Sequence, residues 1–180
     1  MSLICSFPPV ADAGARVLIL GSMPGKASLQ AARYYAHERN AFWPIMGDLI
    51  GAGPQQDYPQ RLDKLKAAGF ALWDVIAACE RAGSLDADIV STSVQPNDFS
   101  AFFAVHRSIE RVFFNGAAAE TSFRRLVLPG LLPGLDRRSL RFVRLPSTSP
   151  ANASFSYEQK VTRWRVIIDY LPVASRNGNE

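Results

Sequence analysis

At 180 residues, with 48% hydrophobic and 20% charged residues, the chain has the apolar content to bury a core of its own, which argues against intrinsic disorder. No run reaches the roughly 18 to 20 apolar residues that cross a bilayer, and Met1 to Val10 lack the basic segment and apolar run of an export signal. Two cysteines, Cys5 and Cys79, are too few for a four-cysteine zinc or iron–sulfur centre and fit reduced thiols in the cytoplasm. The net charge of +4 is unevenly placed: 8 Lys/Arg stand against 10 Asp/Glu in residues 1–100, and 12 against 6 in residues 101–180. The Arg-rich second half is compatible with a phosphate-binding face or with an ordinary solvated one.

Residues 15–20 are a short apolar run ending at Gly21, as expected of a central parallel strand. Phe42–Ile50 has helical apolar spacing with Pro44 in its first turn, and Gly51 to Pro54 stops it. Residues 59–68 predict a second helix ending at Gly69, and residues 70–76 a strand leading into a polar stretch, 79–89. Asn97 to Ser100 offers caps for a helix through Ser108. Arg111–Asn115 is a third strand before Gly116, residues 117–127 a helix, and residues 128–138 a Pro/Gly-rich connection. Residues 140–145 alternate apolar and basic, as a strand nearer a sheet edge does. Ser156-Tyr157-Glu158-Gln159 has capping-box form, and Val161, Trp164, Ile167, Ile168 and Leu171 stripe a closing helix. Strands alternating with helices predict an α/β fold, a three-layer α/β/α arrangement around a central, mostly parallel four-stranded sheet. Residues 1–173 are expected to form one domain and 174–180 a polar tail.

Two polar loops follow predicted strands. The first is Gly21-Ser22-Met23-Pro24-Gly25, followed by Tyr34-Tyr35-Ala36-His37-Glu38-Arg39-Asn40-Ala41-Phe42-Trp43; the second is Leu145-Pro146-Ser147-Thr148-Ser149-Pro150-Ala151-Asn152. Loops leaving the carboxyl ends of strands in an open α/β sheet meet at one crevice, so both are expected to line one site. The first loop lacks the Lys-Ser/Thr of a Walker loop and the spaced glycines of a dinucleotide fingerprint. No Gly-x-Ser-x-Gly elbow is present, and His37 and His106 stand in no Ser–His–acid order, which argues against an ester hydrolase.

In their joint order these segments resemble the uracil-DNA glycosylase superfamily, over about residues 15 to 170. The likeness is greatest to its hypoxanthine-DNA (deoxyinosine) glycosylase branch and extends to the mismatch-specific uracil- and thymine-DNA glycosylases. Leu72-Trp73-Asp74-Val75-Ile76 with Arg81, Gly83, Ser84 and Asp86, and then Phe113-Phe114-Asn115-Gly116, fall between the two loops in the family's order. The resemblance implies a monofunctional enzyme that flips a deaminated base out of DNA and hydrolyses its N-glycosidic bond, leaving an abasic site, with no metal and no cofactor. Hypoxanthine is the implied target. A uracil (G:U mismatch) enzyme and a catalytically degenerate DNA-binding member are the alternatives. DNA is the implied partner, with no membrane, for a cytoplasmic, nucleoid-associated monomer.

The departure that matters most is Met23, where mismatch-specific enzymes carry an Asn that positions the attacking water; a thioether is a poor substitute. The hypoxanthine branch shares that loss and implicates an Asn in the later segment, which matches Asn40. Glu38 stands where relatives often have Pro. Asn40 and His37 are therefore the candidate catalytic residues: Asn40 to hold water or base, His37 as an acid for the departing base. Asn40 also suits a helix N-cap before Phe42. Ser22, Met23, Tyr35, Asp74 and Asn115 are the candidate base-binding residues, Tyr35 by stacking. Gly25, Lys26, Ser147, Thr148, Ser149, Pro150, Ala151 and Asn152 are the candidate DNA contacts. Among them, hydroxyls and backbone N–H groups serve phosphate, and Pro150 and Ala151 fill the gap left by the base. Lys26 suits a phosphate contact better than a Schiff base with the sugar, and Trp43 is expected in the core.

Overall fold

The computed structural model describes residues 3–131 and 140–171. Along the chain run β1 (Leu3–Cys5), β2 (Val17–Gly21), α1 (Lys26–Ala31), α2 (Phe42–Ile50), α3 (Tyr58–Ala67), β3 (Phe70–Asp74) and β4 (Ile76–Glu80). Then follow β5 (Gln95–Pro96), α4 (Phe99–Val105), β6 (Arg111–Asn115), α5 (Ala117–Leu126), α6 (Leu128–Leu131), β7 (Arg141–Leu145) and α7 (Tyr157–Trp164), which a 3₁₀ segment, Arg165–Tyr170, continues.

The expected four-stranded sheet is present and wholly parallel, in the order β3-β2-β6-β7. Its central strand β2 is buried throughout, as an unbroken apolar run must be when both of its faces are covered. Val17 and Ile19 pack into one layer with Phe42, Trp43, Leu65 and Trp164; Leu18 and Leu20 pack into the other with Phe99, Phe102 and Phe123. These are the two helical layers of a three-layer fold. The strand that follows β2 lies on one side of it, and β6 lies on the other, so the winding reverses between β2 and β6. A crevice at the carboxyl ends of strands forms at such a reversal. Helix starts follow the side chains that satisfy their free N–H groups. Asp57 and Ser156 close reciprocal capping boxes with Gln60 and Gln159, and Asp98 accepts from Ala101 N–H at 2.9 Å.

Three local expectations are corrected. The apolar run 70–76 is two strands, broken where Val75 and Ile76 donate to the carbonyls of Gly21 and Ser22 (2.9 and 3.0 Å). Past that break β4 leaves the parallel sheet and joins a small antiparallel one, β1-β4-β5. The connection expected from residue 128 begins with a short helix, α6. Residues 132–138 of that connection, with Arg137 and Arg138, lie outside the described residues, as do the domain end at 173 and the tail 174–180. Among the described residues no helix is long and apolar enough to cross a membrane, and no group of three His, Cys, Asp or Glu is placed to hold a metal ion.

Candidate active site

A cleft of about 880 Å³ opens at the carboxyl ends of β2, β3 and β6. Gly21 to Lys26, Tyr35, His37, Asn40, Asp74, Asn115 and Ser147 to Asn152 all line it, so the two loops meet. They are also bonded to each other, Ala41 N–H donating to the Thr148 carbonyl at 3.0 Å.

The floor is built on a glycine. Gly21 and Asp74 are register partners at the ends of β2 and β3. A Cβ on Gly21 would collide with Asp74 Oδ1 and lie 3.2 Å from the Tyr35 hydroxyl, so only glycine lets that carboxyl lie across the strand end. Asp74 is 4% exposed, and its Oδ2 is buried without a hydrogen-bond partner. Burial, reinforced by the Asp86 carboxylate and opposed by Arg81, pushes its carboxyl up to about 7. The Tyr35 hydroxyl is buried near Asp74 and Asn115 without closing a hydrogen bond, and burial raises its pKa far above the usual tyrosine value. Tyr35 sits at φ +54°, a left-handed backbone that is strained for an aromatic residue. Its ring stacks on Phe42, with centroids 4.1 Å apart and 24° between planes.

The first loop is braced from β4 and the turn after it. Arg81 donates to the Pro24 carbonyl, and its Nε and Nη1 are buried without partners. The Ser22 hydroxyl donates to Asp86 Oδ1 at 2.6 Å. Met23 lines the cleft and is nearly buried, with its side chain packed on Ile76 and Cys79. Asn40 Oδ1 accepts the Phe42 N–H at 3.0 Å, one residue ahead of Ala41, the N-cap of α2. An amide has a second lone pair and two N–H hydrogens, so this bond leaves Asn40 three further hydrogen-bonding positions. His37 is exposed, and its Nδ1 accepts the Arg39 N–H at 3.1 Å, which puts the proton of the neutral ring on Nε2.

The second loop is held from within. Asn115 makes a reciprocal pair with Thr148, Nδ2 donating to Oγ1 at 2.9 Å and Oδ1 accepting the Thr148 N–H at 2.8 Å. Thr148 is fully buried, and its N–H, carbonyl and Oγ1 each have a partner within the protein. Asn152 Nδ2 donates to the Ser147 carbonyl at 3.0 Å, which makes it an internal strut. Ser147 and Ser149 accept the N–H groups of Ser149 and Ala151, both at 3.2 Å, and keep their own hydroxyl hydrogens to donate. Pro150 and Ala151 are exposed at the tip. Gly116 has φ +94°, and a Cβ there would lie 2.8 Å from Ser147 Cβ, so β6 and this loop approach through a glycine. Lys26, Arg144 and Arg163 add positive charge to the lining, and Trp43 lies in the core as expected.

Two residues act as braces, a role the sequence did not assign to either. Arg81 holds the first loop. Lys160, 6% exposed, donates from Nζ to the carbonyls of Asn152 (3.0 Å) and Ser149 (3.5 Å) and holds the second. Lys160 had a legible signal: it stands four residues before Trp164, on the face that continues to Ile167 and Leu171.

An α/β/α protein with a polar cleft at its topological switch point is the class this geometry defines. The family model described as the uracil DNA glycosylase superfamily matches residues 8–168, and the chain belongs to that superfamily. A hypoxanthine DNA glycosylase of Methanosarcina barkeri is 40% identical over 111 residues, 61% of this chain and 69% of that protein. Another of that name, from Methanosarcina acetivorans, is 33% identical over 162 residues, 89% and 95% of the two chains. A solution NMR structure from M. acetivorans, provisionally named a uracil DNA glycosylase, superposes with TM-score 0.74 at 32% identity, covering 93% of this chain and 97% of that one.

Proposed function

We propose that this chain is a monofunctional DNA glycosylase of base excision repair that removes hypoxanthine from deoxyinosine and leaves an abasic site. The observation that carries the proposal is the amide of Asn40 in the cleft, while Met23, at the other water-positioning place, offers only a thioether. The names of the two curated relatives support hypoxanthine as the base.

Breaking a glycosidic bond in DNA separates an oxocarbenium-like sugar from a base that leaves with the bonding electron pair. Water then bonds to C1′ and loses a proton. Such a reaction needs alignment and electrostatic support more than a strong nucleophile. Asn40 aligns the water with its amide. A flipped base stacks on the Tyr35 face turned away from Phe42 and meets Asp74 with its edge. His37 offers Nε2–H to the departing base or a neighbouring phosphate. Ser147 and Ser149 donate to phosphate, and Pro150 and Ala151 occupy the vacated gap. A monomer suffices, in the compartment that holds the DNA.

The test is a gel assay on labelled oligonucleotides carrying one hypoxanthine, uracil, xanthine or thymine mismatch, single- and double-stranded, with alkali to break abasic sites. Cleavage is expected to be strongest at hypoxanthine. Cleavage strongest at uracil would move the substrate assignment, and binding without cleavage at any base would refute the enzyme.

A further inference from the structure

We infer that Arg81, a guanidinium buried behind the first loop without a counter-ion, stabilises the negative charge that the base takes on as it leaves. The inference rests on the proposed glycosylase function and gives a residue outside the cleft lining a part in the reaction. When the glycosidic bond to C1′ breaks, its electron pair goes to the base, water bonds to C1′, and the water's proton is released. The base is an anion until it takes up a proton. A fixed positive charge in a surrounding of low dielectric lowers this barrier in proportion to the charge built up on the base.

Arg81 follows β4 directly and is 6% exposed. Its Nη2 donates to the Pro24 carbonyl, while Nε and Nη1 are buried without partners. Among the described residues no carboxylate lies within ion-pair distance of it. A buried cation is costly to keep unless a negative charge meets it. The charge of Arg81 acts on the cleft floor: it draws the Asp74 carboxyl down against burial and the Asp86 carboxylate, and it draws the Cys79 thiol down in the same way. Phosphate finds its cations elsewhere, because Lys26, Arg144 and Arg163 line the cleft, whereas Arg81 stands behind Pro24. What reaches the floor is the flipped base, and its charge appears only as the bond breaks.

The experiment compares the full-length protein with Arg81→Gln and Arg81→Lys at pH 6, where Asp74 keeps its proton. Both variants retain a donor for the Pro24 carbonyl, and only Lys retains the charge. Single-turnover excision is measured on duplexes bearing hypoxanthine or 8-azahypoxanthine, a base of the same shape that leaves more readily as an anion. Affinity is measured on a duplex bearing 2′-fluoroarabino hypoxanthine, which resists cleavage. Arg81→Gln is expected to slow hypoxanthine excision about tenfold or more, the order of effect of a unit charge one side-chain layer away in a protein interior. It should slow 8-azahypoxanthine excision less, so that the ratio of the two rates rises about threefold or more, while Arg81→Lys keeps the wild-type ratio. Equal losses on both bases, or the same ratio in both variants, would overturn the inference and leave Arg81 a brace of the first loop. A loss confined to DNA affinity would make Arg81 a phosphate partner and overturn it equally. Arg81→Met, apolar and of similar length, takes the place of Arg81→Gln if urea unfolding shows the latter unfolded. Should the wild type excise uracil alone, the hypoxanthine assignment fails, and uracil with 5-fluorouracil supplies the same ratio. Should it excise no base, the glycosylase function fails and this inference falls with it.

Discussion

Replacing Asn115 by Ala removes both bonds by which β6 holds the loop after β7. The Thr148 N–H, donated to Oδ1 at 2.8 Å, is stranded in a residue with no exposure, and Thr148 Oγ1 loses its donor at 2.9 Å. A stranded buried N–H costs about 1–3 kcal/mol and a lost neutral hydrogen bond about 0.5–1.5. Water reaching the half-buried position 115 recovers part, so the expected loss is about 2–3 kcal/mol. Urea unfolding reads this directly. With a slope of about 2 kcal/mol/M, the midpoint falls by roughly 1 M or a little more at unchanged slope. Thr148→Val removes only the hydroxyl and costs about 1 kcal/mol. Because the two residues share one pair of bonds, the double variant should be scarcely less stable than Asn115→Ala alone. A midpoint within about 0.2 M of wild type, or fully additive losses, would refute the pair as the strut of this loop.

Asp74 makes stability depend on pH. The folded protein holds its proton up to about pH 7, whereas the unfolded carboxyl releases it near 3.8, so the contribution is complete below about pH 4 and is lost as pH rises to about 7. The shift corresponds to at most about 4 kcal/mol, and Asp74→Asn should flatten the profile and be the more stable protein at pH 8; unfolding at pH 5 and 8 with equal slopes for both proteins would contradict this. Lys160→Met keeps the buried stem but loses the ammonium bonds to Asn152 and Ser149. It should weaken binding to non-cleavable DNA roughly tenfold while changing the saturated single-turnover rate little, with partial rescue by Lys160→Arg; an unchanged affinity measured by anisotropy would count against the brace. Asn40→Ala should slow excision about 100-fold or more and cost about 1 kcal/mol through the lost Phe42 bond. Asn40→Asp keeps that acceptor and the stability but not the wild-type rate, so a full rate in Asn40→Ala would move the catalytic assignment elsewhere.

Local chemistry made much of the fold legible. Buried strands read as apolar runs because both faces of β2 are covered, and helices α3, α4 and α7 start at Asp57, Asp98 and Ser156, whose side chains cap them. The break at Val75 was not legible, because what turns β4 out of the sheet is a pair of bonds to Gly21 and Ser22, far away in sequence. The same limit applied to the site. That Ser147 and Ser149 flank an inward Thr148 depends on Asn115, and that Met23 is nearly buried depends on Ile76 and Cys79. Residue types identified the loops; which hydroxyl or amide was already engaged required the partner that only folding brings near.

The cleft divides its work between groups that are held and groups that are left over. Asn115, Asn152, Lys160 and Arg81 spend their polarity on the backbone and fix where two loops stand. Asn40, His37 and Asp74 retain hydrogen-bonding capacity within the cleft, and none of them is a strong acid, base or nucleophile in its ordinary state. A site of this kind accelerates a reaction only by placement, so its tolerance for displaced loops is small. The struts should therefore matter to catalysis nearly as much as the residues that touch the base, and Gly116 is where this is most exposed. At φ +94°, 2.8 Å from Ser147 Cβ, an added methyl pushes the second loop away from the strand end that carries Asn115. The chemistry lost by such a substitution is not that of glycine but that of the two loops no longer meeting.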